Sequence, residues 1–510
     1  MIMKKEIKIL MYAVLTVIMS VSCSTDLEVK PEGLDAEENY YKDETQAFAG
    51  LTAVYDLMRK NSGGFENMIT MFNAGSDDHY AGGGNESDGA GIQSFSNYTI
   101  NPYTMPESFW SDYYRGISRA NKLLEKLPGI PMDESKKARF AAEAKTLRAY
   151  YYFNLVRMFK NVPLILEPLS ASQFYSIPQA DPAEVWAQIE TDITESLNDL
   201  PPTVNVSSDG GRLTQGSAKA ILGKVYLYQG KNALAAAQFE DVNGTPGATS
   251  QYGYKLLDNY DDLWSFTNKF NTESVLEVSH SAQGGHWGIW GGNSEEGNTV
   301  NVMVGPRNYS KVNNAAPDLP SGWSFNVFTQ NFVDFMTGDP RFNATVFDIH
   351  PFQAYAQSLT PPRDAYFKGF KDTGYFLNKF LPYQGDIYDG SLGGDAVLNY
   401  AQNTYAIRLA DTYLMEAEAL GGTGTRAQAL LDAVRARVGL TSVPVSMSAI
   451  KDERRRELAG EGHRWFDLVR WGDAPVVLAN RGFVAGKNEV LPIPVRETQG
   501  TQIQQNPNYN

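Results

Sequence analysis

Three of the eight tryptophans, Trp287, Trp290 and Trp323, stand in stretches rich in Gly, Ser and Asn instead of on the apolar stripe of a helix. A flat indole at a surface takes the weakly apolar face of a pyranose, and Asn, Asp, His and Arg groups beside it supply the directional hydrogen bonds that orient a sugar. Together the three predict an aromatic platform for an oligosaccharide. The competing reading is that each indole pins a long loop to the scaffold. A second candidate is GSDDHY at Gly75 to Tyr80, where Asp77, Asp78, His79 and Tyr80 can meet the same ligand from another side, unless Asp77 only caps the next element. Arg363, after Pro361 and Pro362, is the third.

No catalytic frame accompanies these residues. The sequence has no HExxH pair and no GxSxG elbow, and GFVAGKN at Gly482 has the wrong spacing for a phosphate loop. His280 and His286 share a loop without a fuller ligand set, and Asp258, Asp261 and Asp262 lack the spacing of a calcium loop. Glu295 and Glu296 are adjacent, which points their side chains apart instead of across a cleft as a glycosidase needs. The expectation is a binding protein with no catalytic residues, cofactor or metal. A secreted glycoside hydrolase and a peptide binder stand as rivals. A net charge of -15 gives no basic stripe to replace phosphate counterions, so nucleic acid is excluded as a partner.

The elements that must position these residues are mainly helical. Phe48, Leu51, Val54, Tyr55 and Met58 predict a first helix over Thr45 to Lys60, followed by a long loop to Pro106. Pro106 and Asp133 open the two arms of a helical hairpin, and Asp181 with Pro182 starts the next helix. Leu222, Gly223, Tyr226, Ala235 and Phe239 fall in the tetratricopeptide register, with Gly223 letting two helices approach and Tyr226 filling the groove beside it. The register is not sustained. A loop-rich insertion (243–402) carries ESVLEVS at Glu273 to Ser279 as a strand. Helices then resume at Asn403 to Leu420, Thr425 to Val438 and Ala449 onward, and Lys487 to Val495 reads as a last strand. The expected organisation is a leader (1–22), an N-terminal helical region (23–242), the insertion, and a C-terminal helical region (403–510), forming one compact domain.

Lys4, Lys5 and Lys8 followed by an apolar run from Ile9 to Val21 predict a secretory signal. With a single cysteine no disulfide can close within the chain, so Cys23 is expected to carry a lipid at the start of the mature protein, although Ser20 stands where Leu is commonest in a lipobox.

Ala449 to Trp471 (AIKDERRRELAGEGHRWFDLVRW) concentrates charge and aromatics, and its interleaved signs predict an internal ion-pair network spread over two short helices that break at Gly460 and Gly462. This stretch, with LPIP at Leu491 to Pro494 and QNPNY at Gln505 to Tyr509, resembles the C-terminal signature of the SusD/RagB family of Bacteroidetes nutrient-binding lipoproteins. RAYYYFNLVRMFKNVPLI at Arg148 to Ile165 and YAIRLADTYLMEAEAL at Tyr405 to Leu420 are similar to two further helices of that family. The resemblance implies a tetratricopeptide-like scaffold, a lipid anchor in the outer membrane with the protein facing outward, and capture of oligosaccharide for a TonB-dependent, SusC-like transporter. Asp26 and Glu28 resemble the export signal of such lipoproteins.

Overall fold

The computed structural model describes residues 40–283, 286–287, 296–387, 389–391 and 393–509. The signal segment and Cys23 lie outside them. Helix α1 (Glu44–Tyr55) begins at Asp43, whose carboxylate accepts the Gln46 N–H, and runs on as a 3-10 turn to Asn61. The loop expected up to Pro106 is interrupted by two buried helices, α2 (Met68–Ala74) and α3 (Ala90–Ser96). Seven residues are two turns, too few for a helical period to stand out in sequence.

The long hairpin follows as α4 (Ser108–Lys126) and α5 (Glu134–Phe159), the latter capped by Asp133, which accepts the Lys136 N–H. Helix α6 (Pro182–Ser196) packs on α5, where Arg148 donates from Nε and Nη2 to the two carboxylate oxygens of buried Asp192. Next come α7 (Gln215–Tyr228) and α8 (Asn232–Asn243). A Cβ at Gly223 would lie 2.7 Å from the Phe239 ring, so only glycine allows this approach.

The insertion supplies β1 (Ser274–Val278), α9 (Val300–Val304), α10 (Gln330–Met336), β2 (Val346–Asp348) and β3 (Tyr375–Leu377), the last two paired antiparallel. Strand β4 (Thr404–Arg408) pairs antiparallel with β1, and α11 starts only at Leu409, running to Ala419. The helix expected from Asn403 is therefore shortened, because TYAIR has a buried partner strand and tertiary pairing overrides its local preference. Helices α12 (Gly424–Arg437), α13 (Met447–Glu457) and α14 (Arg464–Trp471) complete the scaffold. The strand expected at Lys487 to Val495 does not form. That stretch is a turn followed by an extended segment, fixed by Leu491 N–H to Met158 O and by Gln505 to the backbone of Ile493.

One apolar cluster reaches from Ala47 on α1 through α4–α7 and α11–α14 to Ile493, and includes Met303 and Phe325 of the insertion. A smaller cluster joins Ile69 on α2 to Val300, Phe328, Phe332 and Leu377. The insertion thus shares the core of the scaffold.

Between α13 and α14, Gly460 and Gly462 take φ of +76° and +80°, where a side chain is strained, and the helices separate there as expected. The ion-pair network is real, but its wiring is long-range. Glu457, fully buried, accepts from Arg341 (2.7 Å), Arg408 (2.6 Å) and Arg437 instead of from its helical neighbours. Arg408 also reaches Glu273 and Glu461, and Lys379 donates to Glu461. Arg454 pairs with Asp411 and Asp467. Burial alone would raise the Glu457 carboxyl, but Arg437, Arg408 and Arg341 outweigh it and hold it well below the usual range.

Candidate functional site

The two loops singled out in the sequence meet along their backbones. Thr329 N–H bonds Asp78 O, Tyr80 N–H bonds Val327 O, Asn326 N–H bonds Ala81 O and Gly83 N–H bonds Ser324 O, at 2.8–2.9 Å. This antiparallel zipper explains AGGG at Ala81 to Gly84. Gly82 has φ +74°, and a Cβ there would lie 2.1 Å from Ser324 O; one at Gly83 would meet the Phe325 ring at 2.8 Å.

The zipper brings Trp323 to the surface on a stiff base. Trp323 N–H donates to Val302 O, Ser324 N–H to Gly305 O and Phe325 N–H to Met303 O, so the segment lies across the end of α9. A Cβ at Gly322 would come within 2.3 Å of Gly305 Cα, which holds two glycines at this crossing. The Phe65 ring supports the platform from beneath, 6.2 Å from Trp323 and 5.2 Å from Phe325.

Trp287 lies 5.8 Å from Trp323 with the ring planes inclined by 36°, within the range of favourable aromatic contact. It is 49% exposed, whereas Trp323 is half-buried. Its backbone N–H donates to Asp395 Oδ2 (2.8 Å), and the same oxygen is 3.9 Å from His286 Nδ1. Two inclined facets suit a curved chain of sugars better than a flat ribbon, which asks for coplanar rings. Trp290, the third expected member, falls outside the described residues.

Polar groups border the rings. Arg307 Nη2 donates to Trp323 O (3.0 Å) and to Asp88 Oδ2 (3.1 Å), and Gly84 N–H donates to the same carboxylate oxygen (2.6 Å). Arg307 also opposes Phe367 in an antiparallel bridge closed by Phe367 N–H to Arg307 O (2.8 Å). Directly opposed residues put their side chains on one face, so the 59% exposed Phe367 stands beside Arg307.

The other expected ligand residues turn inward. Asp77 accepts from Arg464 at Nε (2.8 Å) and Nη2 (3.0 Å), and Asp78 accepts from Arg455 Nε (2.7 Å). His79 is buried against Phe328 (4.2 Å between ring centroids) with Nδ1 2.8 Å from Asn326 O. Tyr80 is half-buried, with the cations of Arg481 and Lys371 over its ring. The expectation that Asp77, Asp78, His79 and Tyr80 face a ligand is therefore corrected: these side chains are engaged by the protein itself, and GSDDHY ties the loop to α13 and α14, while Gly84 and Asp88, a few residues later, lie beside Arg307. Arg363 is exposed in the turn after 350–357, its N–H bonded to Ala356 O, and among the described residues no hydrogen bond joins it to the platform. His280 is buried, bonded to Ser62 and to Glu296 O, and the described residues hold no group of three or more His, Cys, Asp or Glu arranged for a metal. Phe65, Asp88, Arg307, Phe367 and Asp395 border Trp287 and Trp323 without carrying any local sequence pattern; the one available signal was the AGGG run near Asp88.

Two family models match the chain. The first, the SusD family, matches residues 289–507; the second, described as starch-binding associating with outer membrane, matches residues 43–227. A solved laminarin binding SusD-like protein is 62% identical, with 92% of this chain and 100% of that chain covered and a TM-score of 0.88. Surface glycan-binding protein A from Bacteroides fluxus is 27% identical over 92% of this chain and 100% of its own, with a TM-score of 0.78. SusD-like protein P25 of Formosa agariphila is 26% identical over 94% of both chains.

Proposed function

Since the chain belongs to the SusD family, we propose that it is a non-catalytic receptor that captures an oligo- or polysaccharide on Trp287 and Trp323 and hands it to a TonB-dependent, SusC-like transporter. In this reading Cys23 carries the lipid that holds it to the outer membrane, facing outward. One observation carries the proposal: a half-exposed indole set against a second indole at 36°, the second on a segment paired through its backbone, and both bordered by an Arg and two carboxylates. Such a surface stacks sugar faces and addresses their hydroxyls without enclosing them, which suits capture followed by release. Laminarin is the first ligand to test, because the relative 62% identical to this chain is named for binding it.

Calorimetry and affinity gels containing laminarin test the reading. The wild-type protein is expected to be retained and to release no reducing sugar. Trp287→Ala and Trp323→Ala should each weaken binding about tenfold, equivalent to about 1.4 kcal/mol, with the melting temperature little changed for Trp287→Ala. Undiminished retention by a folded double variant rejects the platform. Retention on immobilised peptides but not on glycan would place the protein among peptide binders instead.

A further inference from the structure

The platform's polar border is balanced in charge. Arg307 and Asp88 are each about one-third exposed (32%), and the guanidinium lies between Trp323 O and Asp88 Oδ2. Gly84 covers the guanidinium: a Cβ there would stand 3.2 Å from Arg307 Cζ and from Nη2. Among the described residues Arg307 Nε is buried without a hydrogen-bond partner, so the guanidinium meets Asp88 through Nη2 alone. Exposed Lys368 follows Phe367 on this border, and two acidic groups lie on it as well. Glu86 is exposed on the same turn as Asp88, and Asp395, with 40% of its side chain exposed, accepts the Trp287 backbone N–H.

We propose that Asp88 and Arg307 are the specificity-determining pair of this surface and that together they select neutral glycans over polyanionic ones. The inference rests on the reading of Trp287 and Trp323 as a sugar platform. An arginine beside an aromatic ring would by itself attract uronates and sulfated sugars, because its planar fork matches carboxylate and sulfate oxygens. Here Asp88 already accepts from one arm of that fork, at Nη2, and the carboxylates of Glu86 and Asp395 add negative charge to the same surface. A polymer carrying a charge on every sugar meets repulsion at each contact, whereas a neutral sugar meets none. Its hydroxyls can donate to the carboxylate oxygens of Asp88 and accept from the guanidinium, so the pair serves as both donor and acceptor.

The variant that separates this from a structural role is Asp88→Asn, whose amide oxygen still accepts from Gly84 N–H and Arg307 while the charge is gone. Wild type is expected to bind laminarin and to ignore alginate, a polyuronate. Asp88→Asn should weaken laminarin about threefold, since a charged acceptor becomes a neutral one, and gain alginate binding at low ionic strength that fades as salt is added. Arg307→Lys keeps the charge and loses the fork; it should weaken laminarin about fivefold and still reject alginate, and it carries the test if Asp88→Asn does not fold. If Asp88→Asn folds and still rejects alginate, or if Arg307→Lys binds laminarin as wild type does, the pair does not set specificity. If wild type itself fails to bind laminarin while the variants are folded, the platform reading has failed and the inference falls with it.

Discussion

Glu457 sits out of water among the guanidinium groups of Arg341, Arg408 and Arg437. Desolvation makes such an arrangement of modest net benefit when whole, but removing one partner strands the others, at a cost of about 3–5 kcal/mol. Glu457→Gln should therefore lower the unfolding free energy by roughly that amount in denaturant titrations, with an unchanged ligand footprint in whatever fraction stays folded. Two kinds of buried group give the stability a dependence on pH in separate windows. Burial pushes His79 down to about 3 and His280 to about 4, while an unfolded imidazole takes its proton near 6.5. The unfolded chain binds the extra protons, so stability is whole above about pH 6.5 and falls as pH drops toward 4. For Asp467, burial would raise the carboxyl, but Arg454 and Arg470 hold it at about 2, so its contribution is intact above about pH 4 and is lost as pH falls toward 2. Chemical denaturation from pH 8 to pH 4 should show the first decline; a flat profile would mean that the imidazoles do not stay neutral in the fold.

The platform depends on two backbone crossings made possible by glycine. Gly322→Ala forces the segment carrying Trp323 off Gly305, and Gly82→Ala collides with Ser324 O. Each is expected to cost several-fold more in laminarin affinity than a surface Gly→Ala change, read by calorimetry, because the indole moves even where the fold survives. These crossings also explain what could be read from the sequence. Long helices with caps at Asp133 and Asp181 and a close approach at Gly223 are local signals, and they appear where their residues predict. The short buried α2 and α3, the β4 start of the Tyr405 to Leu420 segment and the pairing of 78–83 with 324–329 are set by partners more than a hundred residues away, which local pattern cannot express. The misassignment of Asp77, Asp78 and His79 has the same origin. A polar run in a Gly-rich loop looks exposed until the arginines of α13 and α14 are in place beside it.

At the scale of the whole molecule, one core spans both ends of the described chain, and the charged network bridges the insertion to the last helices through Arg341, Lys379 and Arg408. No helix among the described residues is long and apolar enough to cross a membrane. A chain ending before Met447 lacks α13 and α14, which leaves Asp77 and Asp78 without the arginines that pair with them and takes Glu457 away from Arg341 and Arg408. Such a truncation is expected to be cut at many sites by a dilute protease that leaves the full chain intact.

Arg455 and Arg464 reach Asp78 and Asp77 across 377 and 387 positions of sequence, and the loop they fasten is the one that bears Gly84 and Asp88. During synthesis the tryptophans emerge well before these arginines do. On the proposed reading, a nascent or unfinished chain therefore carries the platform residues without the geometry to use them, and competence to bind is expected to arrive only with the final helices. Retention on glycan thus doubles as an assay of complete folding: in a refolding time course, recovery of binding should coincide with the last phase of tertiary structure and never precede it.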